Sequence, residues 1–108
     1  MVRHQNDVAM PLRLHYPAAF DGLVDLLRGA GLNTYDVIAQ CTGPNEGGDI
    51  AVSILYGSNY AQRMEEPFDE SSLRTLDAKV LAFFQQVAKS CYQQNTAEYQ
   101  TFMRRTKP

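Results

Sequence analysis

Few side chains in this sequence could carry chemistry. Cys41 and His15 are the thiol and imidazole whose pairing would make a nucleophile and its base. Strand alternation sets them apart. In Met10–Tyr16, Met10, Leu12, Leu14 and Tyr16 alternate with Pro11, Arg13 and His15, so His15 falls opposite the apolar side. Cys41 shares its strand face with Val37 and Ala39 and points at the helices. A core thiol and a surface imidazole on opposite sides of a sheet form no dyad, and no catalytic residue is expected. His4 and His15 lack a metal-binding spacing, so no metal and no cofactor are expected. The second thiol, Cys91, lies 50 positions from Cys41 without a CxxC pattern, which predicts two reduced, buried thiols. Gly43–Asp49 is glycine-rich, yet it joins two strands, carries Glu46 and Asp49, and has no Lys or Arg. The geometry and charge of a phosphate cradle are both missing.

Two other groups of residues suit a partner rather than a reaction. Ile38, Ala51 and Leu55 fall on the outward side of their strands, where polar residues are the rule, so a covering partner or second copy is expected there. Tyr92, Tyr99, Phe102 and Met103 form an aromatic and methionine-bearing stripe near the C-terminus, the composition of interface cores. The acidic run Glu65, Glu66, Asp69 and Glu70 reads as helix N-terminal charge plus solvated surface. Arg104, Arg105 and Lys107 complement a helix C-terminus and are too few to bind nucleic acid.

The elements that position these residues follow from periodicity. A first strand is expected over Met10–Tyr16, at a sheet edge because of Pro11. Pro17 opens a helix whose stripe is Phe20, Leu23, Val24 and Leu27, weakened by Gly22 and ended by Gly29 or Gly31 with Leu32 behind it. Two strands follow, on which Tyr35, Val37, Ala39 and Cys41, and then Ile50, Val52, Ile54 and Tyr56, share faces; the loop Gly43–Asp49 joins them as a hairpin. Residues 61–67 read as either a helical turn or an irregular crossing ended by Pro67. A long helical segment begins at Asp69 as N-cap, with Phe68 and Leu73 spaced as a hydrophobic staple. Its stripe is Leu73, Leu76, Val80, Phe83 and Val87. Asn95-Thr96-Ala97-Glu98 has the form of a second capping box, which slightly favours a break there and a separate terminal helix over 95–106.

The expected fold is therefore α+β, in the order β-α-β-β-α(α). A three-stranded sheet of order 1-3-2 carries its helices on one face, as an incomplete ferredoxin-like unit with a long C-terminal helical segment. The 108 residues fit a single domain, with residues 1–8 outside its ordered part. Residues 17–56 resemble the βαββ stretch of ACT-type regulatory domains. The likeness rests on Gly29-Ala30-Gly31-Leu32-Asn33 at the helix-to-strand turn and on Tyr35-Asp36-Val37-Ile38 after it; Pro17-Ala18 stands where that family commonly has Pro-Gly. The resemblance implies amino-acid binding at a subunit interface, with a pocket near Gly29–Asn33.

Hydrophobic residues at 44%, charged residues at 20% and a formal net charge of −2 are globular values that give no field to attract nucleic acid or an anionic membrane. The polar N-terminus has no signal-peptide character and no apolar run would span a bilayer, so a cytoplasmic setting is expected. The expected function is a non-enzymatic protein-interaction or regulatory role, through the open sheet face or the C-terminal helix, with a protein partner or as a homodimer. ACT-like small-molecule sensing is the alternative. A small enzyme completing its site at a dimer interface ranks third.

Overall fold

A computed structural model describes the backbone of residues 8–106 and the side chains of residues 8–99. Strand β1 is only Met10–Pro11 and pairs antiparallel with Cys41 and Gln40. The chain then turns at once into α1, Leu12–His15, and α2, Pro17–Gly29. The expected strand over Met10–Tyr16 thus survives in two residues. Burial shows why. Strand alternation would bury Leu14, which is 63% exposed, whereas Leu12, Tyr16, Ala19, Leu23 and Leu27 are all buried at steps of four and three. That is a helical stripe beginning inside the segment that also alternates.

Helix α2 ends as its glycines suggest. Gly31 takes φ +80°, its N–H reaches the Arg28 carbonyl, and the Leu32 N–H reaches that of Leu27 at 2.8 Å. This is a Schellman stop, with Leu32 buried beside it. Asn33 then caps a short 3-10 turn at Thr34–Asp36, accepting from the Tyr35 N–H while Asp36 accepts from the Asn33 N–H.

Strands β2 (Val37–Thr42), β3 (Asp49–Tyr56) and β4 (Gln62–Asp69) form an antiparallel meander. The β2–β3 loop is closed by Asn45, whose backbone and side chain both bond to Asp49. Among the described residues the sheet has four strands in the order β1-β2-β3-β4. This corrects the expected three-stranded 1-3-2 arrangement and its ferredoxin-like crossover. The α-helical segment after β1 returns the chain to the neighbouring, antiparallel position, and the additional strand β4 completes the meander. β4 escapes sequence reading because it is a polar edge: only Phe68 is buried along it, and Pro67 and its charges are edge residues.

Helix α3, Glu70–Thr75, follows Asp69 as expected, but it does not run on. Leu76 adopts a left-handed conformation (φ 53°), and Asp77 accepts from the N–H groups of Lys79 (3.0 Å) and Val80 (3.1 Å) to start α4, Ala78–Thr106. Leu76 needs Gly22 on α2: a Cβ there would lie 2.5 Å from a Leu76 methyl. The anticipated break at Asn95 is absent. α4 passes through Asn95 for 29 residues, so 95–106 is not a separate helix. Helical i→i−4 bonding makes a cap at Asn95 unnecessary once the stripe of Val80, Phe84, Val87 and Cys91 fixes the helix on the core.

One core joins these parts. Leu12, Tyr16, Leu23 and Leu27 meet the inward side of the sheet (Val37, Cys41, Ile50, Val52, Ile54, Phe68) together with Leu73 and the α4 stripe. Cys41 and Cys91 are buried in it and unbridged.

Candidate interaction surface

Register fixes what faces outward. Val37, Ala39 and Cys41 point to the core, so the opposite side of the sheet carries three cross-strand rows: Ile38–Leu55–Arg63, Gln40–Ser53–Glu65 and Thr42–Ala51–Pro67. The outward placement of Ile38, Ala51 and Leu55 is as expected, and Ile38 and Leu55 are direct neighbours. Ile38 is 36% exposed, and Leu55 and Ala51 are half-buried.

The centre of this surface is an ion-pair network that sequence reading missed, because it requires β4. Ser53 is 3% exposed although it faces outward. Its hydroxyl donates to Glu65 Oε1 at 2.8 Å and accepts from Arg63 Nη2 at 3.2 Å, and Arg63 and Glu65 are themselves paired. The Arg63 guanidinium and the Ser53 hydroxyl hold the Glu65 carboxyl below the usual carboxylate range. The signal available in the sequence was the alternation of Arg63, Glu65 and Pro67 with Met64, Glu66 and Phe68.

The terminal aromatic residues are placed less uniformly. Tyr92 and Tyr99, 54% and 63% exposed, lie on α4. Phe102 and Met103 belong to the same helix, and their side chains lie outside the described residues. α4 is anchored to the sheet end by Glu98, which accepts from the Ser58 N–H at 2.9 Å and from Gln94. Tyr60 ends the 3-10 turn at Ser58–Tyr60 and ties it to the other 3-10 turn, its hydroxyl donating to the carbonyl of Tyr35 at 2.7 Å; the Tyr35 side chain is 83% exposed.

His15 sits on α1 rather than on a strand, so strand parity does not separate it from Cys41 as expected. Both residues line one cavity of about 270 Å³ with Val8, Met10, Tyr16, Gly43 and Ile50. No hydrogen bond links them among the described residues. Cys41 is only 5% exposed, and desolvation pushes its thiol up, the condition of an unreactive cysteine. Next to this cavity, Glu70 receives the Tyr16 hydroxyl at 3.2 Å and Arg74 Nη2 at 2.9 Å, with the Arg74 guanidinium 5.7 Å from the Tyr16 ring centre. Burial, followed by the Glu70 charge, raises the Tyr16 phenol; Arg74, then the Tyr16 hydroxyl, lowers Glu70.

A second hollow, a groove of about 540 Å³, opens between β4 and α4 and is lined by Met64, Phe83, Glu65, Glu66, Lys79 and Gln86 with Ala82. Among the described residues no three His, Cys, Asp or Glu side chains cluster to hold a metal ion, and no helix is long and apolar enough to cross a membrane. His4 lies outside the described residues. Glu65 and Glu66 prove to be strand residues, and of the acidic run only Asp69 and Glu70 stand at a helix start. No protein-family model, no curated protein and no solved structure matches the chain.

Proposed function

We propose that this chain is a non-catalytic protein-interaction or regulatory domain that engages a protein through the outer face of its sheet, with the exposed aromatic side of α4 as a second contact. The observation that carries this reading is the outer face itself. Its Ile38–Leu55 row and Thr42–Ala51–Pro67 row bracket a single ion pair, while the core residues of all four helices gather on the other side. Apolar side chains in register on a face that no described element covers favour cover by a macromolecule over cover by water. The desolvated Cys41 thiol supports a role without covalent chemistry, and buried, unbridged thiols suit a cytoplasmic setting.

A photo-crosslinking amino acid at position 38, compared with one at the exposed position Asp25 of α2, tests the reading in cell lysate. Protein adducts from position 38 that are absent from position 25 are expected. No position-38 adduct, or equal labelling from both sites, would overturn it.

Small-molecule sensing is the second reading, and one observation favours it: the cavity beside Tyr16 and Cys41, which is near the size of a small-ligand site. The Gly29–Asn33 turn gives it less support, because Gly31 and Asn33 are occupied in ending α2 and capping the 3-10 turn. A thermal-shift screen with amino acids separates the two, since a ligand bound only to the folded chain raises the melting temperature.

A further inference from the structure

The outer sheet face has a charge pattern that matches itself. Arg63 and Glu65 are two residues apart on β4, so they stand on the same face about 7 Å apart along the strand, in adjacent cross-strand rows. Opposite charges so arranged become complementary when a second copy is turned over by a two-fold axis lying across the strands at the level of Met64. That operation sets Arg63 of each copy over Glu65 of the other, Leu55 over Ser53, and Ile38 over Gln40. An isologous contact requires this kind of self-complementarity. A two-fold axis along the strands would not exchange the two rows and would leave the charges without opposite partners.

We infer that the occupant of the outer sheet face is a second copy of this chain, held face to face by reciprocal Arg63–Glu65 pairs with Ile38 and Leu55 packed beside them. The inference rests on the reading of that face as a protein-binding surface and names its partner. The three long strands present roughly 400 Å² of projected face, from about 4.8 Å between strands and about 3.3 Å per residue over eight residues. Two such faces make a contact at the low end of specific interfaces, which suits a dimer of micromolar strength that exchanges rather than an obligate one. The Arg63 and Glu65 side chains, 60% and 44% exposed in the single chain, retain the accessibility for exchange between copies. Ser53 keeps Glu65 oriented through its own hydrogen bond.

Charge reversal with rescue is the test, read by sedimentation equilibrium of the full chain from about 5 to 200 μM. Wild type is expected to pass from monomer to dimer across that range. R63E and E65R each place like charges opposite one another and are expected to weaken dimerisation at least tenfold. The double variant R63E/E65R restores opposite charges across the axis and is expected to recover dimerisation. Circular dichroism of each variant checks that it is folded, and Ile38→Asp supplies a second disruption that leaves the ion pair in place. Asp25→Ser, at an exposed position of α2 on the helical side of the molecule, is expected to dimerise as wild type does. A wild type monomeric at 200 μM, a dimer indifferent to both reversals, or a double variant no better than the singles would overturn the inference. Failure of the broader reading is distinguishable. A monomeric wild type that still gives position-38 adducts with another protein loses the second copy and keeps the interaction surface, whereas no adduct at all removes both.

Discussion

At the scale of single residues, Ser53 shows how a small side chain controls a charged surface. It is a hydroxyl 3% exposed beneath an exposed ion pair, and it both donates to Glu65 and accepts from Arg63. Replacing it with Ala removes the bond that supports the carboxylate and leaves the guanidinium. Ser53→Ala is therefore expected to raise the Glu65 carboxyl towards its ordinary value of 4.5 without restoring it fully, because Arg63 is the larger cause of the lowering. NMR titration of the Glu65 side chain reads this directly; an unchanged midpoint would show that Ser53 does not orient the pair. The cysteines differ in kind. Cys91 is fully buried with its thiol pushed up to about 11 by desolvation, and Cys41 is raised by the same cause. Both should resist thiol reagents in the folded chain at neutral pH and react within seconds once it is unfolded.

At the scale of elements, Asp77 and Asn95 show how the C-terminal part is divided. Asp77 accepts two backbone N–H groups at the start of α4, so Asp77→Ala is expected to lower the melting temperature by about 5 °C. Asn95 lies within the helix and caps nothing, so Asn95→Ala is expected to stabilise by about 0.5 kcal/mol through helix propensity alone. A loss of stability at Asn95 would mean that the helix breaks there in solution. These two sites also show what the sequence made legible. The α2 stripe, its Schellman stop, the hairpin and the Asp69 start were readable because each has a local chemical cause. The break at Leu76 was not, because Leu73, Leu76 and Val80 keep helical spacing across it. What selects the break is a long-range fact: Leu76 turns left-handed onto Gly22 of α2. β4 was hidden for the complementary reason, since edge strands carry polar residues and Pro67 and so lack the apolar alternation by which strands are recognised. The outward row Ile38–Leu55 was legible from strand parity; its ionic centre was not, because half of it sits on the unrecognised strand.

At the scale of the whole molecule, titrating groups set the pH range in which the fold is most stable. Asp69, Glu70, Asp77, Glu98 and Glu65 all have lowered carboxyl values, through hydrogen bonds from Ser72, Arg74, Ser72, Gln94 and Arg63 respectively as the leading causes. A lowered carboxyl binds its proton less readily in the folded chain than in the unfolded one. Its contribution is thus fully present above the ordinary values of 3.8 and 4.5 and is lost as pH falls through the folded ones. At the alkaline end the sign is opposite. Cys91, raised from 9.0 to about 11, and Tyr16, raised above 10.0, stay protonated in the folded chain after they have ionised in the unfolded one. Their contribution is intact below pH 9 and is lost as pH rises through the folded values. Urea midpoints measured from pH 3 to pH 11 should therefore form a plateau between about pH 5 and pH 9 that falls on both sides. Cys91→Ala should flatten part of the alkaline fall while leaving the acid side unchanged, because Ala has no proton to lose and the five carboxylates are untouched. An alkaline limb identical in that variant would show that Cys91 does not couple folding to proton release, and that the Tyr16 phenol or Cys41 governs the high-pH edge instead.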